Sequence, residues 1–193
     1  MEWFKKYEDK LDTRYKTFHK LFSIATDRKL KNIVETGTSR GKDKFYYLRP
    51  RINWKDGMST ILFAEYVKLN NGQCWTCDID EKNIRNASLF LKDFDLQANL
   101  IVSDSLKFLE NFSEKIDVLY LDSHDGNLPG ANEHQLREAQ LSLNKMNLNG
   151  LIMLDDKGKK TELSIPFLIE EGWKITFETE HQVILEKFPQ WSE

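Results

Sequence analysis

The chain has 193 residues, 40% of them apolar and 31% charged, with a formal net charge of −3. That length suffices for one well-buried core, and the slightly acidic balance argues against a general binder of nucleic acid or of membrane surfaces. No apolar run reaches the roughly 18–20 residues of a membrane span, and the opening MEWFKKYEDKLDTRYK has neither the apolar stretch nor the cleavage site of a secretory signal, so the expected location is cytoplasmic.

Residues 1–24 place Trp3, Phe4, Tyr7, Leu11, Tyr15, Phe18, Leu21 and Phe22 at three-and-four spacing with charges between them, which predicts an amphipathic helix. This N-terminal helical segment, 1–29, would cover an edge or face of the core, or serve as a homodimer contact or a substrate lid. KNIVETG then reads as a first strand entering a turn, VETGTSRG (34–41). From 42 to 56 periodicity stops, and Pro50 blocks a continuous helix. GMSTILFAEYVKLNNG resumes as a helix that Ser59 or Thr60 can cap and Gly72 can close.

From there strands and helices alternate: QCWTCDID, ANLIVSD, KIDVLYLDS and GLIMLDD as strands, with EKNIRNASLFLKDFDL, SLKFLENF and NEHQLREAQLSLNKM as the helices between them. Apolar strands alternating with helices predict a parallel sheet covered on both faces. The tail departs from that rhythm, since strand-like runs at 173–178 and 182–187 are close enough for a hairpin. The expected fold is therefore α/β: a Rossmann-like, doubly wound, mostly parallel seven-stranded sheet with a C-terminal antiparallel hairpin, forming one domain over 1–193. Cys74 and Cys77 form a C-x-x-C pair, but residues three apart on a strand point to opposite faces, and no second pair completes a zinc site. They read as two buried thiols.

Ligands of such sheets bind beyond the carboxyl ends of the strands. Here those ends carry Glu35-Thr36-Gly37, Asp78-Ile79-Asp80, Ser103-Asp104-Ser105, Asp122-Ser123-His124-Asp125 and Asp155-Asp156. Five acidic ends in register point to a shared polar cleft. Gly37 and Gly41 would let backbone approach a ligand, and Asp78 is placed to accept from ribose hydroxyls. Ile79 could pack on an adenine face, and Asp104 could accept from an exocyclic amine or cap the next helix. Asp122, Asp155 and Asp156 would crowd three carboxylates together, a repulsion that a hard divalent cation such as Mg²⁺ would relieve. The alternative is that Lys157, Lys159 or Lys160 pairs with Asp155 or Asp156. His124 lies between two acids and suits general-base work, or is a solvated loop histidine.

In that order these motifs resemble the class I S-adenosylmethionine-dependent methyltransferases over about residues 30–187, and are most similar to small metal-dependent O-methyltransferases of the catechol and macrocin type and to cephalosporin-hydroxylase-like members. The resemblance implies an enzyme that binds S-adenosylmethionine through Glu35, Gly37, Thr38, Ser39, Gly41, Ser59, Thr60, Asp78, Ile79, Asp104, Ser105 and Asp122. It also implies Mg²⁺ or another divalent cation on Asp122, Asp155 and Asp156, and methylation of a small-molecule oxygen (sugar, phenolic or acidic metabolite). Asp122 and His124, with Lys157 as the lesser candidate, would manage the proton. The family's third glycine is missing, and the insert at 42–56 delays the following helix to DGMST, so the methionine carboxylate could meet N–H groups of Thr38 to Gly41, of Gly57 to Thr60, or of both. Lys44, Tyr46, Tyr47, Arg49, Arg51 and Trp54 of that insert would either fold over the cleft, toward an acidic or phosphorylated acceptor or a stacked sugar, or lie as a surface loop pinned by its aromatics. Rival readings are an NAD(P)-dependent oxidoreductase, a non-catalytic nucleotide-binding protein and a nucleic-acid methyltransferase. The missing glycine and the hairpin count against the first, the acid trio against the second, and LDSHDG in place of an Asp/Asn-Pro-Pro-aromatic motif against the third.

Overall fold

The computed structural model describes residues 1–42, 50–54 and 58–187. Most of the 42–56 insert, including Lys44, Tyr46, Tyr47 and Arg49, lies outside the described residues, as does Gly57. Five parallel strands form one side of the sheet: β1 (Asn32–Thr36), β2 (Gln73–Asp78), β3 (Asn99–Val102), β4 (Ile116–Leu121) and β5 (Met146–Leu154). β6 (Trp173–Glu178) and β7 (Val183–Lys187) make the hairpin, and the order is β3-β2-β1-β4-β5-β7-β6 with β7 antiparallel to both neighbours. The chain reverses its direction of winding between β1 and β4, where a cleft opens in sheets of this kind.

The N-terminal segment is not one helix. Two single turns, α1 (Glu2–Lys5) and α2 (Glu8–Leu11), and a 3-10 turn at Asp12–Arg14 precede a regular helix, α3 (Tyr15–Asp27). The break falls at Asp12, whose φ of 52° lies outside right-handed helical space. The apolar spacing still works across the break, because Phe4, Tyr7, Leu11, Phe18, Leu21 and Phe22 are all buried in one cluster against the sheet. Trp3 and Tyr15 pack on the same cluster. The stripe is thus used within the chain to cover a face of the core. Arg28 hydrogen-bonds Glu186 of β7 and the Asn149 carbonyl, which fixes the end of α3 to the far side of the sheet.

The helices α4 (Ser59–Asn70) and α5 (Glu81–Asp93) share a sheet face with α3, while α6 (Ser105–Asn111), α7 (Ala131–Ser142) and α8 (Ser164–Glu170) cover the other. Cys74 belongs to the core under α3 and Cys77 to the core under α6–α8, both as free thiols on opposite faces. α8 had no counterpart among the expected elements. No helix among the described residues is long and apolar enough to cross a membrane.

α4 is capped differently from the sequence expectation. Met58 is its N-cap residue and makes no side-chain cap, because the Ser59 and Thr60 hydroxyls turn to Glu35 instead. At the other end Asn71 takes the left-handed conformation at φ 52°. Gly72 closes the helix through its N–H, which donates to the Val67 carbonyl at 2.9 Å, and a Cβ there would lie 2.3 Å from the Lys31 carbonyl oxygen, so only glycine lets β2 start beside that backbone.

Candidate active site

The carboxyl ends of β1, β2, β4 and β5 line a cleft of about 630 Å³, within the usual range for a cofactor pocket. Gly37, Thr38, Ser59 and Asp78 line it at the ends of β1 and β2 and the start of α4, and Asp122, Asp155 and Asp156 line it at the ends of β4 and β5. Glycine is required at position 37 because φ is +83° and a Cβ would stand 2.4 Å from the Asp122 carbonyl oxygen. The interrupted glycine motif is completed in space by α4. The Ser39 N–H donates to Thr60 Oγ1 at 2.9 Å, and the Thr38 and Thr60 hydroxyls are 3.2 Å apart. The loop after β1 and the start of α4 therefore meet at one place, despite the intervening insert.

Glu35 lies beneath that junction, fully buried, and accepts from Ser59 and from Thr60 (2.6 Å). It ties β1 to α4 and does not line the cleft. Burial pushes its carboxyl up from 4.5 to about 7, against the hydrogen bonds from Ser59 and Thr60. A raised acid binds a proton on folding, so its contribution to stability is full at low pH and is lost as pH rises from 4.5 to about 7. Chemical denaturation across that window is expected to show a fall of about 3 kcal/mol that Glu35→Gln removes. An identical slope in the variant would refute the assignment.

Gly41 does not face a ligand: its Cβ would meet the Phe90 ring at 2.5 Å and the Arg51 carbonyl at 2.7 Å, so it serves α5 packing. Ser39 is buried and outside the cleft lining. Asp78 is held by the Asp80 N–H at 2.8 Å and Asn83 Nδ2 at 3.1 Å, and burial raises its carboxyl above the ordinary value. Ile79 beside it is 74% exposed. Asp104 caps α6 by accepting from the Lys107 N–H at 3.1 Å. Ser105 Oγ sits 2.8 Å from His134 Nε2, and the His124 ring lies against His134 with centroids 5.1 Å apart. His124 thus turns toward α7 and is not among the cleft-lining residues. Lys157 reaches the cleft but its ammonium pairs with Glu178 at 2.7 Å. In the insert, Arg51 bridges back to Lys42, and Trp54 packs between Tyr7 and Phe94.

Oxygens of Asp122, Asp155 and Asp156 lie within 4.8 Å of one another, a donor set suited in type to a hard cation. Two of the three charges are nevertheless already compensated. Arg14 spans both oxygens of Asp155, Nε to Oδ1 at 3.3 Å and Nη2 to Oδ2 at 3.1 Å, and is 3.8 Å from Asp156. Lys160 Nζ is 3.1 Å from Asp122 and 3.5 Å from Asp156, with its side chain only 1% exposed. Burial and then Asp155 push the Asp122 carboxyl well above the usual range, with Lys160 opposing. Burial would lower Lys160, but Asp122, Asp156 and Asp155 outweigh it and raise its ammonium. So arranged, the trio does not fit a divalent cation: the oxygens it would need are engaged, and the repulsion it was invoked to relieve is relieved by two side chains. The sequence alternative, a lysine pair, is what forms, through a buried Lys160 that reaches Asp156 and also Asp122.

Arg14 and His181 both line the cleft, and neither was expected there. Arg14 had no local signal. His181 had one: β7 pairs antiparallel with β5, Leu154 opposite Val183, so the hairpin turn must end beside the carboxyl end of β5. Arg40 of the VETGTSRG turn bridges to Asp125 at 3.0 Å, joining the β1 and β4 loops at the cleft.

A seven-stranded sheet of this order, with a glycine turn after β1 and an acid ending β2 at a cleft on the switch point, defines the class I methyltransferase architecture. Its residues 54–157 match a family described as a methyltransferase domain, and the chain belongs to that family. It is an S-adenosylmethionine-dependent methyltransferase, which displaces the oxidoreductase and non-catalytic readings. No curated protein matches it in sequence. Among solved structures it is similar to an S-adenosylhomocysteine-bound methyltransferase from Podospora anserina (14% identity, TM-score 0.66, covering 97% of this chain and 86% of that one). It is also similar to a Staphylococcus aureus protein provisionally called a caffeoyl-CoA O-methyltransferase (17%, 0.65, 89% and 82%). A third is an rRNA methylase from Streptococcus thermophilus (16%, 0.61, 92% and 98%). At such identities the likeness is one of fold, and the names already span different acceptors.

Proposed function

We propose that the chain, acting as one domain over 1–193, methylates an oxygen of a small polar acceptor held between the Gly37–Asp78 wall and the β4–β5 ends. The observation that carries this is the cleft itself, which brings the cofactor-type residues of β1, β2 and α4 and the charged ends of β4 and β5 into one space. S-adenosylmethionine, when bound, supplies an activated methyl group on a sulfonium, so the protein must only position and deprotonate. The residues present fit it. The close backbone turn at Gly37 and the start of α4 at Ser59 suit the methionine end, Asp78 the ribose, and exposed Ile79 the flat face of the base. Asp104 and Ser105 at the next strand end lie on the base side.

At the end of β4, Asp122 reaches the cleft and accepts the acceptor's hydroxyl proton, while Lys160 keeps its carboxylate in place. Lys159 lines the same cleft and makes no ion pair among the described residues, which suits an acceptor carrying an acidic group. Calorimetry with S-adenosylhomocysteine tests the cofactor half: Asp78→Ala is expected to weaken binding at least about tenfold, as the loss of a charge-assisted hydrogen bond does, with unfolding unchanged. Wild-type protein that gives no binding heat would sink the reading. A screen of cell metabolites for transfer of labelled methyl then identifies the acceptor, and Asp122→Asn should abolish that transfer while retaining cofactor affinity.

A further inference from the structure

Resting on that reading of the cleft, we propose that Arg14 and Lys160 are the built-in counter-ions of the Asp122–Asp155–Asp156 trio, and that this methyltransferase works with no divalent cation. The two cations arrive from opposite ends of the chain. Arg14 ends the 3-10 turn after α2, and Lys160 stands in the turn following β5, where Gly158 and Thr161 hydrogen-bond each other through backbone and hydroxyl. They take different faces of the cluster: Arg14 holds both oxygens of Asp155, and Lys160 bridges Asp122 to Asp156.

Charge arithmetic makes this a replacement rather than an accompaniment. Three carboxylates against two cations leave one negative charge, enough to accept a proton from an acceptor hydroxyl. A divalent ion added among the same oxygens would put four positive charges against three negative ones. It would also have to enter beside a lysine ammonium that is buried and engaged with two of its three prospective ligands. A bound cation could orient an acceptor oxygen; here that falls to Asp122, which Lys160 holds in place.

The test is titration of chelator-treated, full-length protein with Mn²⁺, followed by calorimetry and by the electron paramagnetic resonance signal of free Mn²⁺, with S-adenosylhomocysteine binding measured in parallel. Wild-type protein is expected to bind S-adenosylhomocysteine equally with and without chelator and to show no saturable Mn²⁺ site below about 1 mM. Lys160→Met, which vacates the trio, should create a site at least about tenfold tighter. Stoichiometric micromolar binding of Mn²⁺ by the wild type would overturn the proposal, as would a failure of every folded variant to gain Mn²⁺ affinity. If Lys160→Met does not fold, Lys160→Gln and Arg14→Gln give the same readout, and the wild-type titration stands by itself. Loss of S-adenosylhomocysteine binding in the wild type would instead strike the cofactor reading, so the two failures are distinguishable.

Discussion

Gly37→Ala is expected to destabilise the protein by about 3 kcal/mol or more and to lower S-adenosylhomocysteine affinity at least about tenfold. Two costs coincide at this position. The backbone has φ +83°, which a side chain tolerates poorly, and the new Cβ would be 2.4 Å from the Asp122 carbonyl oxygen, 2.9 Å from its carbon and 3.2 Å from Ser123 Cα. All three neighbours are backbone, so no rotamer change relieves the clash. Nor can the turn withdraw, because it is stitched on both sides. The Gly37 N–H donates to the Cys77 carbonyl at 2.9 Å, Thr76 Oγ1 donates to the Gly37 carbonyl at 2.9 Å, and the Asp122 N–H donates to the Thr36 carbonyl at 3.0 Å. Relief must come from separating β1 from β4 at the switch point, which is also where the cofactor wall meets Asp122. Gly158→Ala is the control: it shares a positive φ, 129°, but its Cβ meets nothing within 4 Å. Denaturant unfolding and calorimetry on both variants decide the matter; a Gly37→Ala protein with wild-type stability and affinity would refute it.

The fold was legible because its strands obey a strong physical constraint. Parallel strands covered on both faces must be apolar throughout, so NIVET, QCWTCD and IDVLYL stand out between amphipathic stretches, and the short 179–182 connection forces a hairpin. The crowding of Asp122, Asp155 and Asp156 was legible too, since adjacent parallel strands deliver their ends to the same edge. What compensates those acids was not. Arg14 and Asp155 are 141 residues apart, and nothing in DTRY distinguishes a cleft arginine from any other charge on an amphipathic segment. Ser59 and Thr60 show a different limit. A hydroxyl at a helix start can cap its own helix or satisfy a buried acid elsewhere, and the choice went to Glu35, which has no other way to be buried. His124 shows the same kind of limit: two flanking acids in the sequence did not fix the direction of its ring, and α7 offered His134 as a neighbour.

Arg14→Ala should have the second large effect, about 3–5 kcal/mol of lost stability, although it alters a residue outside every regular helix and strand but a single 3-10 turn. The reason lies in what remains behind. Asp155 is 3% exposed, and without Arg14 both its oxygens lose their charge-assisted partner while Asp122 and Asp156 still crowd it. An exposed ion pair would lose under about 1 kcal/mol on the same change, so the magnitude itself reports whether the pair is buried in function as well as in geometry. The double variant Arg14→Met/Asp155→Asn separates the pair from its packing: with both charges removed, most of the loss should return, and the coupling from the four-protein cycle should exceed about 1.5 kcal/mol. Because Arg14 is held at the end of β5, with β1 and β4 between it and Asp78 at the end of β2, cofactor affinity should change far less than turnover in either variant. A single variant that costs less than about 1 kcal/mol would show that the N-terminal segment merely rests on the sheet. The expected result makes that segment part of the candidate active site, since its apolar stripe holds it down while its arginine balances the charge at the ends of β4 and β5.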